Sequence, residues 1–330
     1  MLCAGPANIL SLPSCYPSKV SPRSSHLHKV ISSRNKMRNG SSNNDDKWSA
    51  QADLYSNQAS RLTELHGADL VTILKDDILK AKTILDVGCG TGAFAKAYIQ
   101  QFPKGIPGQT LILSDFSAGM LQKAKETVIA PNADFQTKLV YQEEDGTKLE
   151  GIPENSVDLV VSLFGVFLIP DQEATLKAIQ RVLKKDSDSV FANGSWIFNT
   201  SDYLTSQGFG VSLQDAFVAS EVVVNPGHTK EVSFLNWATK DNVKAMFAGK
   251  AESVDLHQSM HTTVWDFENL WNMIAENPMS AVQGASEEDA ARAKKALEEF
   301  VTKDGSSLDK PIMLSTASIL CVTRYFDNDP

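Results

Sequence analysis

The stretch Ile84-Leu85-Asp86-Val87-Gly88-Cys89-Gly90-Thr91-Gly92 constrains this chain more than any other. A β-rich run over 83–87 ends in Gly88, Gly90 and Gly92, and residues 93–101 follow with helical composition. A strand that enters a helix through positions without side chains lets backbone approach a ligand closely at the helix N-terminus. Alone the loop leaves two ligand classes open, because Gly88, Gly90 and Ala93 also satisfy the dinucleotide pattern G-x-G-x-x-A.

The flanking texture sets the architecture. Residues 48–79 have near-helical apolar spacing, with Leu54, Leu62, Leu65, Leu70, Ile73 and Leu74 in phase. Strands are predicted over 110–113, 139–141, 157–163 and 195–199, and helices over 120–128 and 172–184. Such alternation implies right-handed crossovers and an α/β, doubly wound parallel sheet. Beyond residue 199 the rhythm breaks. Residues 201–235 read as an insertion with a helix over 213–222, then a helix over 241–249 and a strand over 252–264. Helices over 267–275 and 287–302 precede a final strand over 313–325, long enough to lie antiparallel at the sheet edge.

Three carboxylates sort the ligand classes. Asp86 ends the first strand, where its charge can face a cationic ligand. Asp115 ends the second, where a carboxylate can accept both hydroxyls of a ribose; Asp145 follows the third, ahead of Gly146, suited to an adenine amino group. Singly each is an ordinary loop acid. In strand order they form a pattern.

Leu85-Asp86-Val87-Gly88-Cys89-Gly90-Thr91-Gly92, Asp115-x-Ser117-x-x-Met120-Leu121, Asp145-Gly146 and Val157-Asp158-Leu159-Val160 together resemble the class I S-adenosylmethionine-dependent methyltransferases. The likeness covers residues 45–200 well and the rest loosely. It implies a Rossmann-like seven-stranded sheet, last strand antiparallel, with helical cap insertions, and S-adenosylmethionine as cofactor. Asp86, Gly88, Cys89, Gly90 and Gly92 would hold the methionine moiety and Asp115 the ribose. Phe116 or Met120 would pack near the adenine, Asp145 and Gly146 would contact its edge, and Ser162 and Phe164 would line the site after strand four. Tyr55 resembles the aromatic residue of an N-terminal helix that closes over the cofactor. A departure is Leu183-Lys184-Lys185-Asp186-Ser187-Asp188, which replaces the usual Leu-Lys-Pro-Gly-Gly turn.

Methyl transfer from a sulfonium needs alignment and exclusion of water, and a base only if the acceptor must lose a proton. The sequence names no base. His228, His257 and His261 each stand alone, and Tyr55, Phe164, Trp265 and His261 are the acceptor-side candidates. Aromatic residues outnumber bases there, which favours S- or N-methylation of a thioether, thiol or amine through cation–π contact. O-methylation of a small hydroxy or carboxylic acid is the alternative. From other classes come an NAD(P)-binding oxidoreductase, which would leave Asp86 and Asp145 unexplained, and a non-catalytic regulator of the same fold.

Charge bears on partners. Residues 1–44 hold Lys19, Arg23, Lys29, Arg34, Lys36 and Arg38 and no acidic residue, so residues 45–330 carry 25 basic and 40 acidic residues, a net of −15. So acidic a body argues against nucleic acid as partner and for a small-molecule methyl acceptor. The basic, serine-rich leader has the composition of a mitochondrial or plastid transit peptide or of a disordered tail. With a transit peptide the expected location is organellar, otherwise cytoplasmic. Residues 45–330 are expected to form the methyltransferase domain, with acceptor-side insertions about 201–235 and 266–310. No run reaches the roughly 18 apolar residues of a spanning helix. Cys3, Cys15, Cys89 and Cys321 are too scattered for a disulfide scaffold or paired metal-ligand spacing, so no metal is expected.

Overall fold

The computed structural model describes residues 41–185, 188–196, 211–212, 216, 219–220, 223–225, 237, 239–277, 280–303 and 305–326. Contacts divide the chain into Met1–Ser41 and Ser42–Pro330, and the architecture below is that of the second unit. Residues 1–40 of the leader and most of the 201–235 insertion lie outside the described residues, as does His228.

The predicted helical region over 48–79 is three helices, α1 (Ser41–Leu54), α2 (Ser60–Ile73) and α3 (Lys75–Lys80), with a π-helical turn at Tyr55–Ala59 between the first two. The parallel core follows as β1 (Thr83–Val87), α4 (Ala93–Gln101), β2 (Thr110–Asp115), α5 (Ala118–Thr127), β3 (Lys138–Glu143), β4 (Leu159–Leu163), α6 (Gln172–Val182) and β5 (Val190–Trp196). After a two-residue β6 (Val211–Ser212) come α7 (Lys240–Phe247), β7 (Ala251–Trp265), α8 (Phe267–Ala275), α9 (Glu287–Val301) and β8 (Ile312–Phe326).

The sheet runs β3-β2-β1-β4-β5-β8, with β7 on the far side of β8 and short β6 beside it. Strands β1 to β5 are parallel; β8 is antiparallel to both β5 and β7. The seven long strands and the antiparallel last strand agree with the resemblance. Two expectations are corrected. The fifth strand lies over Val190–Trp196 rather than 195–199, because Val190, Phe191 and Ala192 are fully buried and pair with Leu159, Val160 and Val161. Its glycine permits this: a Cβ on Gly194 would stand 2.8 Å from Leu163 Cδ1, so the neighbouring strand packs where a side chain would be. The final strand is interior. Leu320, Cys321 and Val322 of β8 are buried between two neighbours, and β7, with alternating exposed residues, takes the edge.

The order reverses between β1 and β4. Two outward crossovers from β1 reach β2 and β3, and the chain then returns to β1's other side. The carboxyl ends of β1 and β4 therefore open a crevice, the usual ligand position in open α/β sheets. The core beneath is apolar, with Ile84, Leu85, Leu111, Leu113, Val160 and Val161 buried. Among the described residues no helix is long and apolar enough to cross a membrane.

Candidate active site

Gly88, at φ +68°, turns the chain out of β1, and a Cβ there would lie 3.0 Å from Gly165 Cα in the turn after β4. That close approach closes the floor of the crevice. Gly90, at φ +53°, has no neighbour within 4 Å of where a Cβ would stand, so its face is open. The loop is held from behind: Cys89 N–H donates to Ser114 O at 2.9 Å, and Gly90 N–H to Asp115 Oδ2 at 2.8 Å. Burial, followed by the charges of Asp115 and Asp86, pushes the Cys89 thiol well up, so it is no thiolate nucleophile.

Asp86 is 1% exposed, and neither of its carboxylate oxygens has a hydrogen-bond partner. Burial, and secondarily the charge of Asp115, pushes its pKa up to about 8. The Thr91 hydroxyl, five residues on in the loop, is also buried without a partner. Leaving such groups orphaned costs free energy unless a ligand completes them. A buried, unpaired carboxylate next to a loop with an open glycine fits the ammonium and sulfonium of an adenosylmethionine-type ligand. It does not fit the negatively charged pyrophosphate of a dinucleotide.

Asp115 is buried and joins two loops: Oδ2 accepts from Gly90 N–H and Oδ1 from Ser117 N–H at 2.9 Å. Ser117 caps α5 by accepting from Met120 N–H at 3.2 Å, which turns the chain away from the strand end. Met120 is buried and Phe116 partly exposed. Asp145 is exposed. Its carboxylate accepts from Thr147 N–H (2.9 Å) and hydroxyl (2.7 Å); partial burial opposes ionisation, but these bonds and Lys148 hold the group below the usual carboxylate range. Gly146 is tightly seated: a Cβ there would meet Ile169 at 2.7 Å.

Ser162 serves the turn after β4. Its hydroxyl donates to Val87 O at 2.7 Å and accepts from Val166 N–H at 2.9 Å, tying β1 to β4 at the crevice. Phe164 follows at φ +62°, a left-handed conformation costly for a bulky residue and found where structure over-determines it. What holds it is Trp196 at the end of β5, stacked on the ring at 3.9 Å and 11°. His66 of α2 sets its edge against both rings, at 5.6 and 5.1 Å. Sequence reasoning passed over Trp196 because the strand carrying it was displaced by several residues.

Over the other side, Ser49 Oγ of α1 lies 2.9 Å from Ser117 Oγ and accepts from Gly119 N–H at 3.1 Å. This docks α1 on the start of α5. Tyr55, edge-on to Trp48 at 6.1 Å, opens the π-helical turn. Burial pushes its pKa up to about 12, with the nearby charges of Asp115 and Glu64 adding to the effect against a Thr63 hydrogen bond, so the phenol stays neutral.

Trp265 belongs to a separate apolar cluster with Phe267, Leu270 and Ile312, and its indole N–H donates to Thr263 Oγ1 at 2.7 Å. His257 is exposed on β7. His261 is not alone: its Nε2 lies 2.8 Å from Asp69 Oδ2 and its ring 4.8 Å from that of His66. His66 is fully buried; burial, then the neighbouring His261, lowers its pKa to about 3, so it is neutral. Neither His66 nor Asp69 was singled out in the sequence, though their i, i+3 spacing was a readable signal.

Residues 85–191 match the family model described as a methyltransferase domain. Over 105 residues the chain is 35% identical to the demethylmenaquinone methyltransferase of Chlamydia caviae, covering 32% of this chain and 41% of that protein. Over 156 residues it is 30% identical to malonyl-[acyl-carrier protein] O-methyltransferase 1 of Ilyobacter polytropus, covering 46% and 53%. The chain thus spans about half or less of these curated relatives' lengths. A solved SAM-dependent methyltransferase of Methanosarcina mazei covers 77% of this chain and 98% of its own at 13% identity, with a TM-score of 0.43. The family match falls on the glycine loop, the two crevice carboxylates and β4, so the crevice lies within the part of the chain, residues 85–191, that is similar to a methyltransferase domain.

Proposed function

We propose that this chain transfers a methyl group from S-adenosylmethionine to a sulfur or nitrogen atom of a small molecule. The observation that carries the cofactor half of the reading is Asp86, a buried carboxylate without a hydrogen-bond partner near the end of β1, two residues before the glycine loop. When bound, the cofactor supplies an activated methyl group on a sulfonium.

The chain's own residues then orient and shield. Asp86 answers the cationic end, and Asp115, which accepts from two backbone N–H groups at the end of β2, stands on the ribose side. The Asp145-Gly146 turn borders the adenine side. α1 and Tyr55 cover that side and exclude water, which strengthens each electrostatic contact. Beyond the methyl, the Phe164–Trp196 stack presents π-faces to an acceptor that gains positive charge in the transition state. A thioether or tertiary amine needs no base and uses such a surface best.

The relatives named demethylmenaquinone methyltransferase and malonyl-[acyl-carrier protein] O-methyltransferase mark the competing acceptors. Labelled donor and panels of thioether, thiol, amine, hydroxyl, carboxylate and quinol acceptors decide between them. Turnover confined to the last three classes would overturn the S/N assignment. Trp196→Ala is expected to raise the acceptor KM at least tenfold while leaving S-adenosylhomocysteine affinity within twofold. Equal losses in both would mean the stack supports the fold rather than the acceptor.

A further inference from the structure

His66 and Asp69 stand one turn apart on α2, and His261 faces them from β7. One ligand atom from each lies within 4.8 Å of the other two. Three hydroxyls surround them. Ser259 Oγ is 2.6 Å from His66 Nδ1 and donates to Asp69 Oδ2 at 2.5 Å; Ser318 Oγ is 2.9 Å from Nδ1, and Thr316 Oγ1 is 2.9 Å from Nε2. We propose that His66, Asp69 and His261 form a divalent transition-metal site of the zinc type, clamping α2 to the β7–β8 pair behind the Phe164–Trp196 stack.

Two imidazoles and one carboxylate suit zinc, cobalt or iron better than magnesium or calcium, which prefer oxygen ligands. A ligating histidine commonly donates its other ring N–H to an oxygen, which fixes the tautomer. Thr316 supplies that oxygen: with Nε2–H donating to Thr316 Oγ1, Nδ1 of His66 is left as the ligand on the side of Ser259 and Asp69. Without metal, the Ser259 hydroxyl proton and a ring proton of His261 hold the same atoms together. The ion replaces those protons. At about 2.0–2.1 Å from zinc, tetrahedral ligands stand about 3.4 Å apart. The widest pair must therefore close by roughly 1.4 Å. Asp69 and His261 can do so because both side chains are partly exposed, which also gives the ion an entry path. Three protein ligands leave a fourth position for the Ser259 hydroxyl or water.

This site is independent of the methyl-transfer reading, and its test does not use activity. The full chain, stripped by chelator, is titrated with Co2+ by visible absorption and with Zn2+ by calorimetry. One equivalent is expected to bind at micromolar or tighter affinity, without the thiolate charge-transfer band that Cys89 or Cys321 would give. Zn2+ should also raise the thermal midpoint, since an ion that binds only the folded chain stabilises it. Asp69→Asn and His261→Asn change partly exposed groups. Each should keep its metal-free circular dichroism and lose at least 100-fold in affinity. Absence of binding at tens of micromolar metal, a thiolate band, or unchanged affinity in both variants would overturn the site.

Discussion

Asp86→Asn is expected to make the ligand-free chain more stable at pH 8 while weakening cofactor binding at least 100-fold. Burial and the Asp115 charge raise the Asp86 pKa from 3.8 to about 8, so folding favours the protonated carboxyl. The sign follows from linkage. Below about pH 4 both folded and unfolded chains carry the proton and nothing is lost. Between about pH 4 and 8 the unfolded chain ionises while the folded one cannot, and stability falls as pH rises. The cost at pH 8 is on the order of 5 kcal/mol, partly offset in the variant by a buried amide costing about 1–3 kcal/mol. Denaturant midpoints of both proteins at pH 5 and pH 8 check it: the gap should be wide at pH 8 and narrow at pH 5. A wild type as stable at pH 8 as at pH 5 would contradict the raised pKa. The same proton governs the ligand. A cationic ligand requires the ionised form, so affinity should rise about tenfold per pH unit below 8 and be flat in Asp86→Asn.

Asp115→Ala should cost cofactor affinity on the order of 100-fold or more. Its carboxylate holds Gly90 N–H and Ser117 N–H at 2.8 and 2.9 Å before any ligand arrives. Removing it leaves those N–H groups unsatisfied, loosens the glycine loop and takes away the ribose acceptor. A charged hydrogen bond is worth about 1.5–3 kcal/mol, and a buried orphan adds about 1–3 kcal/mol. Asp115→Asn keeps the size and one acceptor oxygen, so its loss should be intermediate. Calorimetry with S-adenosylhomocysteine separates the cases. An alanine variant within threefold of wild type would remove Asp115 from the ribose role.

β1, β2 and β4 were legible because each is a short, largely buried apolar run closed by a turn residue or a carboxylate. Residues 93–101, read from the glycine loop onward, are α4 to the residue. β5 was misplaced for a definite reason: Asn193-Gly194-Ser195 looks like a loop, yet Gly194 is what lets Leu163 pack across. The sheet position of β8 was not legible, since pairing on both flanks depends on β7, a neighbour set by tertiary contact. Asp86 and Asp115 could be assigned from their places at strand ends. The stack of Phe164 on Trp196 and the meeting of His66 with His261 could not, because they join α2, β4, β5 and β7 across long sequence separations.

In the proposed function, Asp86 and the glycine loop hold the ammonium and sulfonium end of S-adenosylmethionine. The most direct test is calorimetry of S-adenosylmethionine binding to the full chain at pH 6.5, in two buffers of different ionisation heat. Binding should release nearly one proton per chain as Asp86 ionises, with no release in Asp86→Asn and no heat with NADH. Binding without proton release, or tighter binding of NADH, would contradict it.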